Sequence, residues 1–242
     1  MGDNSPKIKF IYRFLFTNGR TLNFDVSLNA QTLTYIPDNN FKPTRMSRLT
    51  YHQCPNCPLS EKDTLYCPVS KNLEYILRQF KDIISYERVT VIVENSYRTY
   101  SSQTSVQHGL SSMMGIIMAT SGCPILGKLK PMVRFHLPFS NLVETIFRAA
   151  STYLLGEFIK YRKGEQPDWD MHKLAQIYKD IEEVNAALAN RVRSLVGKDA
   201  HINALIALDI FAKEMPQTIQ ESLKEFEYLF QEDLTEQTHE SD

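Results

Sequence analysis

From Ile8 onward apolar residues take every second position, Ile8, Phe10, Tyr12, Phe14 and Phe16, and after Asn18-Gly19 the alternation resumes at Leu22, Phe24, Val26 and Leu28. Alternation of this kind puts one face of each strand on a core, and Asn-Gly supplies the positive φ values of a type I′ turn, so the segment predicts a β-hairpin. Val89, Val91 and Val93, then Tyr97 to Tyr100 across Asn95-Ser96, predict a second hairpin. Between the two the period changes. Leu73, Ile76, Leu77, Phe80 and Ile84 recur at helical steps and predict a helix with Ser70 as its N-cap. Another helix is expected from about Ser105 to Ser121, with Leu110, Met113, Met114 and Ile117 inward and Gly122 as the residue that ends it. Met113, Met114 and Met118 read as core fillers, while Gly109, Ser112 and Gly115 leave room for another backbone or a bound molecule.

After Pro138 the pattern is helical throughout. Asn141-x-x-Glu144 is a capping box, followed by Val143, Ile146, Phe147, Ala150, Leu154 and Phe158 as the expected inward positions. A long helix follows from Asp168 to Val196, striped by Leu174, Ile177, Ile181, Val184, Leu188 and Leu195 and ended by Gly197. Two shorter helices, Ile202 to Glu214 and Thr218 to Gln231, flank Pro216, and the tail from Glu232 to Asp242 is polar. The expected fold class is therefore α+β: an N-terminal antiparallel sheet with two helices, then an all-helical C-terminal region packed on it. The natural boundary lies between 1–138 and 139–242, an arrangement that one continuous domain also accommodates.

Composition narrows the class. With 43% hydrophobic and 23% charged residues in 242, neither a disordered chain nor a fibrous repeat is expected. A net charge of -1 gives no footprint for nucleic acid or an anionic membrane. No apolar run approaches the roughly 18 to 20 residues of a transmembrane helix. Met1 to Lys9 lacks the apolar core of a signal peptide, so a cytoplasmic protein is expected. Charge is nonetheless uneven: residues 1–138 hold 16 Lys and Arg against 9 Asp and Glu, whereas 139–242 hold 11 against 19. No acidic residue lies between Glu94 and Glu144, a stretch that includes Arg98, His108, Lys128, Lys130, Arg134 and His136. Such a stretch suits a nearby anionic group, and equally suits burial or neutralisation of the acidic helices.

The chemistry with the clearest signal is sulfur. All four cysteines precede proline, in Cys54-Pro55, Cys57-Pro58, Cys67-Pro68 and Cys123-Pro124. Proline holds the residue before it in extended backbone and removes the next N–H, so each thiol is displayed from a stiff corner. Cys54 and Cys57 have the x2 separation that lets two thiolates reach one metal or cluster, with Cys67 and Cys123 completing four. Reduced thiols in a cytoplasmic chain favour a metal or redox set over disulfides. One knuckle with a distant fourth cysteine points to a [4Fe-4S] cluster, and tetrahedral zinc is the alternative. Free buried cysteines, or a Cys54–Cys57 redox pair without metal, remain the bland readings. His52, Arg134 and His136 are candidates to tune such a centre from around the ligands, although a lone His among apolar residues is more often a core histidine. His108 ranks with them.

The stretches Tyr51 to Leu59, Tyr66-Cys67-Pro68-Val69, Thr120 to Pro124 and Met132 to Ser140, with Pro167-Asp168-Trp169, resemble an uncharacterised bacterial family known only as a domain of unknown function. The resemblance covers nearly the whole chain and implies bacterial origin without any activity, cofactor or catalytic residue to carry over. Phosphate-loop, dinucleotide, HExxH and GxSxG motifs are absent, and Asp180, Glu182 and Glu183 fall on the solvent side of their helix, so no standard enzyme class is supported. The sequence therefore predicts a metalloprotein in electron transfer or redox sensing, or else a zinc-stabilised module that binds a protein partner without turnover.

Overall fold

The computed structural model describes residues 5–37, 41–193, 208, 212–213 and 226–230. Its frame is a five-stranded antiparallel sheet in the order β3-β2-β1-β4-β5, made of β1 (Lys7–Phe16), β2 (Thr21–Asn29), β3 (Tyr35–Ile36), β4 (Arg88–Glu94) and β5 (Thr99–Ser105). Five helices follow or interrupt it: α1 (Pro68–Gln79), α2 (Val106–Thr120), α3 (Lys130–Arg134), α4 (Leu142–Arg162) and α5 (His172–Arg193). The α+β class is as expected. The helices predicted over 202–214 and 218–231, and the tail, fall almost entirely outside the described residues.

The alternation in β1 works as read: Phe10, Tyr12, Phe14 and Phe16 are buried, and Tyr12 pairs with Phe24 on one side and Val93 on the other. The turn between β1 and β2 differs from the expected type I′. Thr17 and Asn18 make the turn and only Gly19 takes a positive φ, with Gly19 N donating to Phe16 O at 3.1 Å and Phe16 N to Arg20 O at 2.9 Å. This is the three-residue loop whose glycine forms a bulge. In the second hairpin the Asn95 side chain accepts from the Tyr97 and Arg98 N–H groups, which delays β5 to Thr99. β5 then runs through the polar segment to Ser105, which carries no apolar alternation to announce it.

α1 begins earlier than its apolar spacing suggested. Pro68 occupies the first helical position, where a missing N–H costs nothing, so Cys67 and not Ser70 is the N-cap. The Ser70 hydroxyl instead donates to Met46 O. α2 is buried nearly all round, with Leu110, Met113, Met114 and Ile117 fully enclosed, and it lies against the inner face of the sheet. Gly109 makes that approach possible: a Cβ there would come within 2.7 Å of both Phe14 and Val91 side chains. Ser121 and Gly122, the latter at φ +96°, end the helix as expected.

α4 starts with the predicted capping box, Asn141 and Glu144 each accepting from the other's backbone N–H. Its inward face is narrower than the apolar pattern implied. Ile146, Ala149 and Ala150 are buried, while Val143, Phe147 and Phe158 are 52%, 39% and 47% exposed. Glu157 is buried too, accepting from Asp168 N and from Lys160, and so ties the α4–α5 connection to α4. Asp168 receives the N–H groups of His172 and Lys173, so the long helix proper starts at His172. Its buried stripe includes Leu174, Ile181, Val184 and Leu188, but also Asn185 and Arg191.

Candidate metal centre

Residues 44–67, between the sheet and α1, form the loop that carries three of the cysteines, and buried polar groups hold it in place. Leu49 N donates to Leu65 O and Cys67 N to Ser47 O, around an isolated antiparallel bridge between Arg48 and Tyr66. Beneath this strut the Glu74 carboxylate, fully buried, accepts from Thr44 N, Thr44 Oγ1, Ser47 Oγ and Arg78. Burial alone would raise its pKa, yet these donors hold it below the ordinary carboxylate value. From the other side Arg191 of α5, 1% exposed, donates to the carbonyls of Met46, Arg48 and Leu49 at 2.9, 2.6 and 2.8 Å.

Cys54 and Cys57 sit at the two ends of a tight turn closed by Cys57 N to Cys54 O at 3.0 Å, with Pro55 at the corner that favours its fixed φ. Asn56 at the tip reaches across to Asp180 O of α5. Cys67 caps the amino end of α1, where the helix dipole favours a negative sulfur. Cys123 lies just past the end of α2, where the nearby backbone N–H groups of Ile125 and Leu126 favour its thiolate. The two helix ends meet: Asn72 Nδ2 donates to Ser121 Oγ at 3.0 Å, and the position of a Cβ on Gly122 would be 4.0 Å from Pro68 Cβ.

The four thiols lie within electrostatic reach of one another. Burial pushes the Cys54 thiol up to about 12, and the charges of Cys67, Cys57 and Cys123 push the same way, while Arg191 opposes them. Cys123 is likewise raised by burial first and then by Cys67 and Cys57, against its two backbone donors. All four cysteines are free; Cys67 belongs to the core and the other three pack against it. Among the described residues, no three His, Cys, Asp or Glu side chains are arranged around one point as ligands of a metal ion.

The residues expected to surround the thiols have contacts of their own. His52 is exposed at φ +46° with Tyr51 edge-on at 4.6 Å, and Arg134 is exposed over the Phe135 ring. His136 joins a cavity, where its Nε2 lies 2.8 Å from Tyr12 Oη and Phe10 packs against its ring. Apolar surroundings, and then the nearby Arg148 charge, push its pKa down to about 3, so it is a neutral histidine. His108 stands exposed at the edge of the same cavity. The cation beside Cys54 is Arg191, and the sequence held a signal for it. Position 191 is three residues after Leu188 and four before Leu195, so a charged residue occupies the apolar stripe.

A family model described as Domain of unknown function (DUF6901) matches residues 10–231. No curated protein and no solved structure matches the chain. No helix among the described residues is long and apolar enough to cross a membrane.

Proposed function

The chain belongs to that family of unknown function, and we propose that it is a cytoplasmic metalloprotein in which Cys54, Cys57, Cys67 and Cys123 hold one [4Fe-4S] cluster serving electron transfer or redox sensing. The observation that supports this reading is that the helix ends carrying Cys67-Pro68 and Cys123-Pro124 meet, with Cys54 of the Cys-Pro turn within electrostatic reach of both. The neighbouring sulfurs oppose ionisation of Cys54 and Cys123, and a cation between them would invert that local electrostatics. The buried Arg191 and the N–H groups of Ile125 and Leu126 then supply positive charge to a centre that, with four thiolates, is net negative. Hydrogen bonds to sulfur and burial of this kind are what set the potential of such clusters. Four reduced thiols in one site fit a reducing compartment.

Protein produced and purified anaerobically should be brown, with broad visible thiolate-to-iron absorption and about four iron and four sulfide per chain, as the cubane requires. Cys67→Ala and Cys123→Ala should each lower iron content sharply. Colourless protein with one zinc per chain overturns the cluster and establishes a structural zinc site, in which case chelation should unfold it. Folded wild-type protein that takes up neither metal, with thiols that titrate independently, overturns both.

A further inference from the structure

A cavity of ≈ 200 Å³ lies under α2, walled by α2, α3, α4 and α5, and it is mainly apolar. Its lining includes Gly115, so the small-residue face of α2 divides its work: Gly109 closes on the sheet while Gly115 opens on this space. Most of the wall comes from residues 108–140, inside the stretch without any Asp or Glu. We infer that this cavity is a binding site for a small carboxylic acid with an apolar body and a hydrogen-bond donor at its far end.

Two side chains carry the inference. Arg148 projects from α4 into the lining and is fixed by Nη2, which donates to Met132 O at 3.0 Å and Phe135 O at 3.2 Å. It is half-buried and makes no ion pair among the described residues, since the nearby Glu144 carboxylate accepts from Asn141 N in the capping box, so its guanidinium keeps donors to spare at the cavity wall. A carboxylate is the anion that a guanidinium fork matches best at this size. The second side chain is Asn185 of α5. It is 2% exposed, lines the cavity, and its Oδ1 is buried without any hydrogen-bond partner. An orphaned acceptor costs about 1–3 kcal/mol unless something donates to it.

Spacing along α5 sets the length of the molecule. Tyr178 also lines the cavity and lies within reach of the Arg148 charge, and Asn185 is seven residues further on. Seven residues of helix advance about 10 Å. The anionic end belongs beside Arg148 and the donor end beside Asn185, with Ile116, Leu126 and Ile181 against the apolar middle. A cavity of roughly 150 Å³ holds benzene, so this one takes a single ring with a short acidic arm, or a chain of comparable size. Phenolic and ω-hydroxy acids are the class that fits. The site is independent of what the cysteines hold.

The test is a titration of the full chain, followed by amide chemical shifts and calorimetry, with para-hydroxyphenylpropionic acid and ω-hydroxyoctanoic acid. Each acid should saturate and shift the amides of α2 and α5, and its methyl ester should bind about ten- to a hundredfold more weakly, as loss of a charge-assisted bond implies. Phenylpropionic acid, without the hydroxyl, should bind several-fold more weakly than the phenol to the wild type and equally well to Asn185→Leu. Arg148→Met should erase the preference for acid over ester. Because Arg148 also holds the end of α3, Gly115→Leu provides a second arm: among the described residues the atom nearest an added Cβ is Leu208 Cδ2 at 3.9 Å, so the larger side chain occupies cavity space, and thermal unfolding of the variant checks that the fold is kept. Gly115→Leu should abolish binding. Equal affinity for acid and ester, binding unaffected by Gly115→Leu, or no saturable binding of either acid to the folded protein overturns the inference.

Discussion

α5 carries two polar residues on its buried stripe, six positions apart, and they meet opposite fates. Arg191 reaches the cysteine loop and gives hydrogen bonds to three carbonyls. Asn185 faces the cavity and its oxygen has no partner. The difference teaches how a buried polar group is to be read. Where a buried donor group is met by backbone carbonyls, it organises a piece of backbone; where a buried acceptor beside a cavity meets no donor, there is room for something else to supply one. The loop under Arg191 is thus tied down by the protein's own hydrogen bonds, whereas the Asn185 oxygen beside the cavity is left unsatisfied.

The strongest way to break this contrast is Arg191→Met. It removes the guanidinium from three carbonyls, of which Met46 O keeps Ser70 Oγ and Arg48 O keeps Tyr51 N, and should cost about 3 kcal/mol in urea unfolding, with the iron content expected of the proposed cluster falling alongside. A loss below about 1 kcal/mol would mean that the loop does not depend on α5. Glu74→Gln attacks the same loop from beneath and should cost about 2 kcal/mol, since hydrogen bonds to a buried charge are the stronger kind. Its pH signature is specific. The folded carboxyl lies below the ordinary value of 4.5, so its contribution is complete above about that pH and is lost as pH falls through the folded value. The variant should therefore flatten the acid limb of the stability curve, and an unchanged limb would remove Glu74 from this role.

The two glycines of α2 sharpen the comparison from the other helix. Gly109→Ala forces a methyl against Phe14 and Val91 and should destabilise by about 1–3 kcal/mol. At Gly115 an added Cβ makes only an ordinary contact among the described residues, with Leu208 at 3.9 Å, so Gly115→Ala should stabilise by about 0.5–1 kcal/mol through helix propensity. Thermal unfolding of the pair reads both signs at once, and equal shifts would contradict the packing described. The smallest expected effect is Asn185→Leu. Removing an orphaned acceptor should leave stability unchanged or raise it by up to about 1 kcal/mol, whereas a clear loss would show that Asn185 is satisfied by the protein itself.

The β1–β2 hairpin was legible because alternating Phe and Val on facing strands admits one register, and the capping box of α4 because it involves neighbours in sequence. The helical period likewise announced α5, and even its anomaly at Arg191, though not what that side chain would meet. Polar β5 was invisible beyond its first residues, since its place comes from pairing with β4 and not from its own pattern. The inward face of α4 was misjudged for a related reason: apolar residues outnumbered the partners available to cover them, and the small Ala149 and Ala150 permit the closer approach.

What the amino-acid order fixed by itself was local: strand alternation, helix ends, and four stiff Cys-Pro corners that favour display of sulfur. Only the tertiary structure decided that the corner after α2 would come to the amino end of α1, that the Arg191 charge would stand within reach of Cys54, and that His136 and Arg148 would share a cavity. Local backbone preferences act over a few residues, but which distant side chains face one another depends on how whole elements bury their apolar faces together. That competition is settled by the entire core at once.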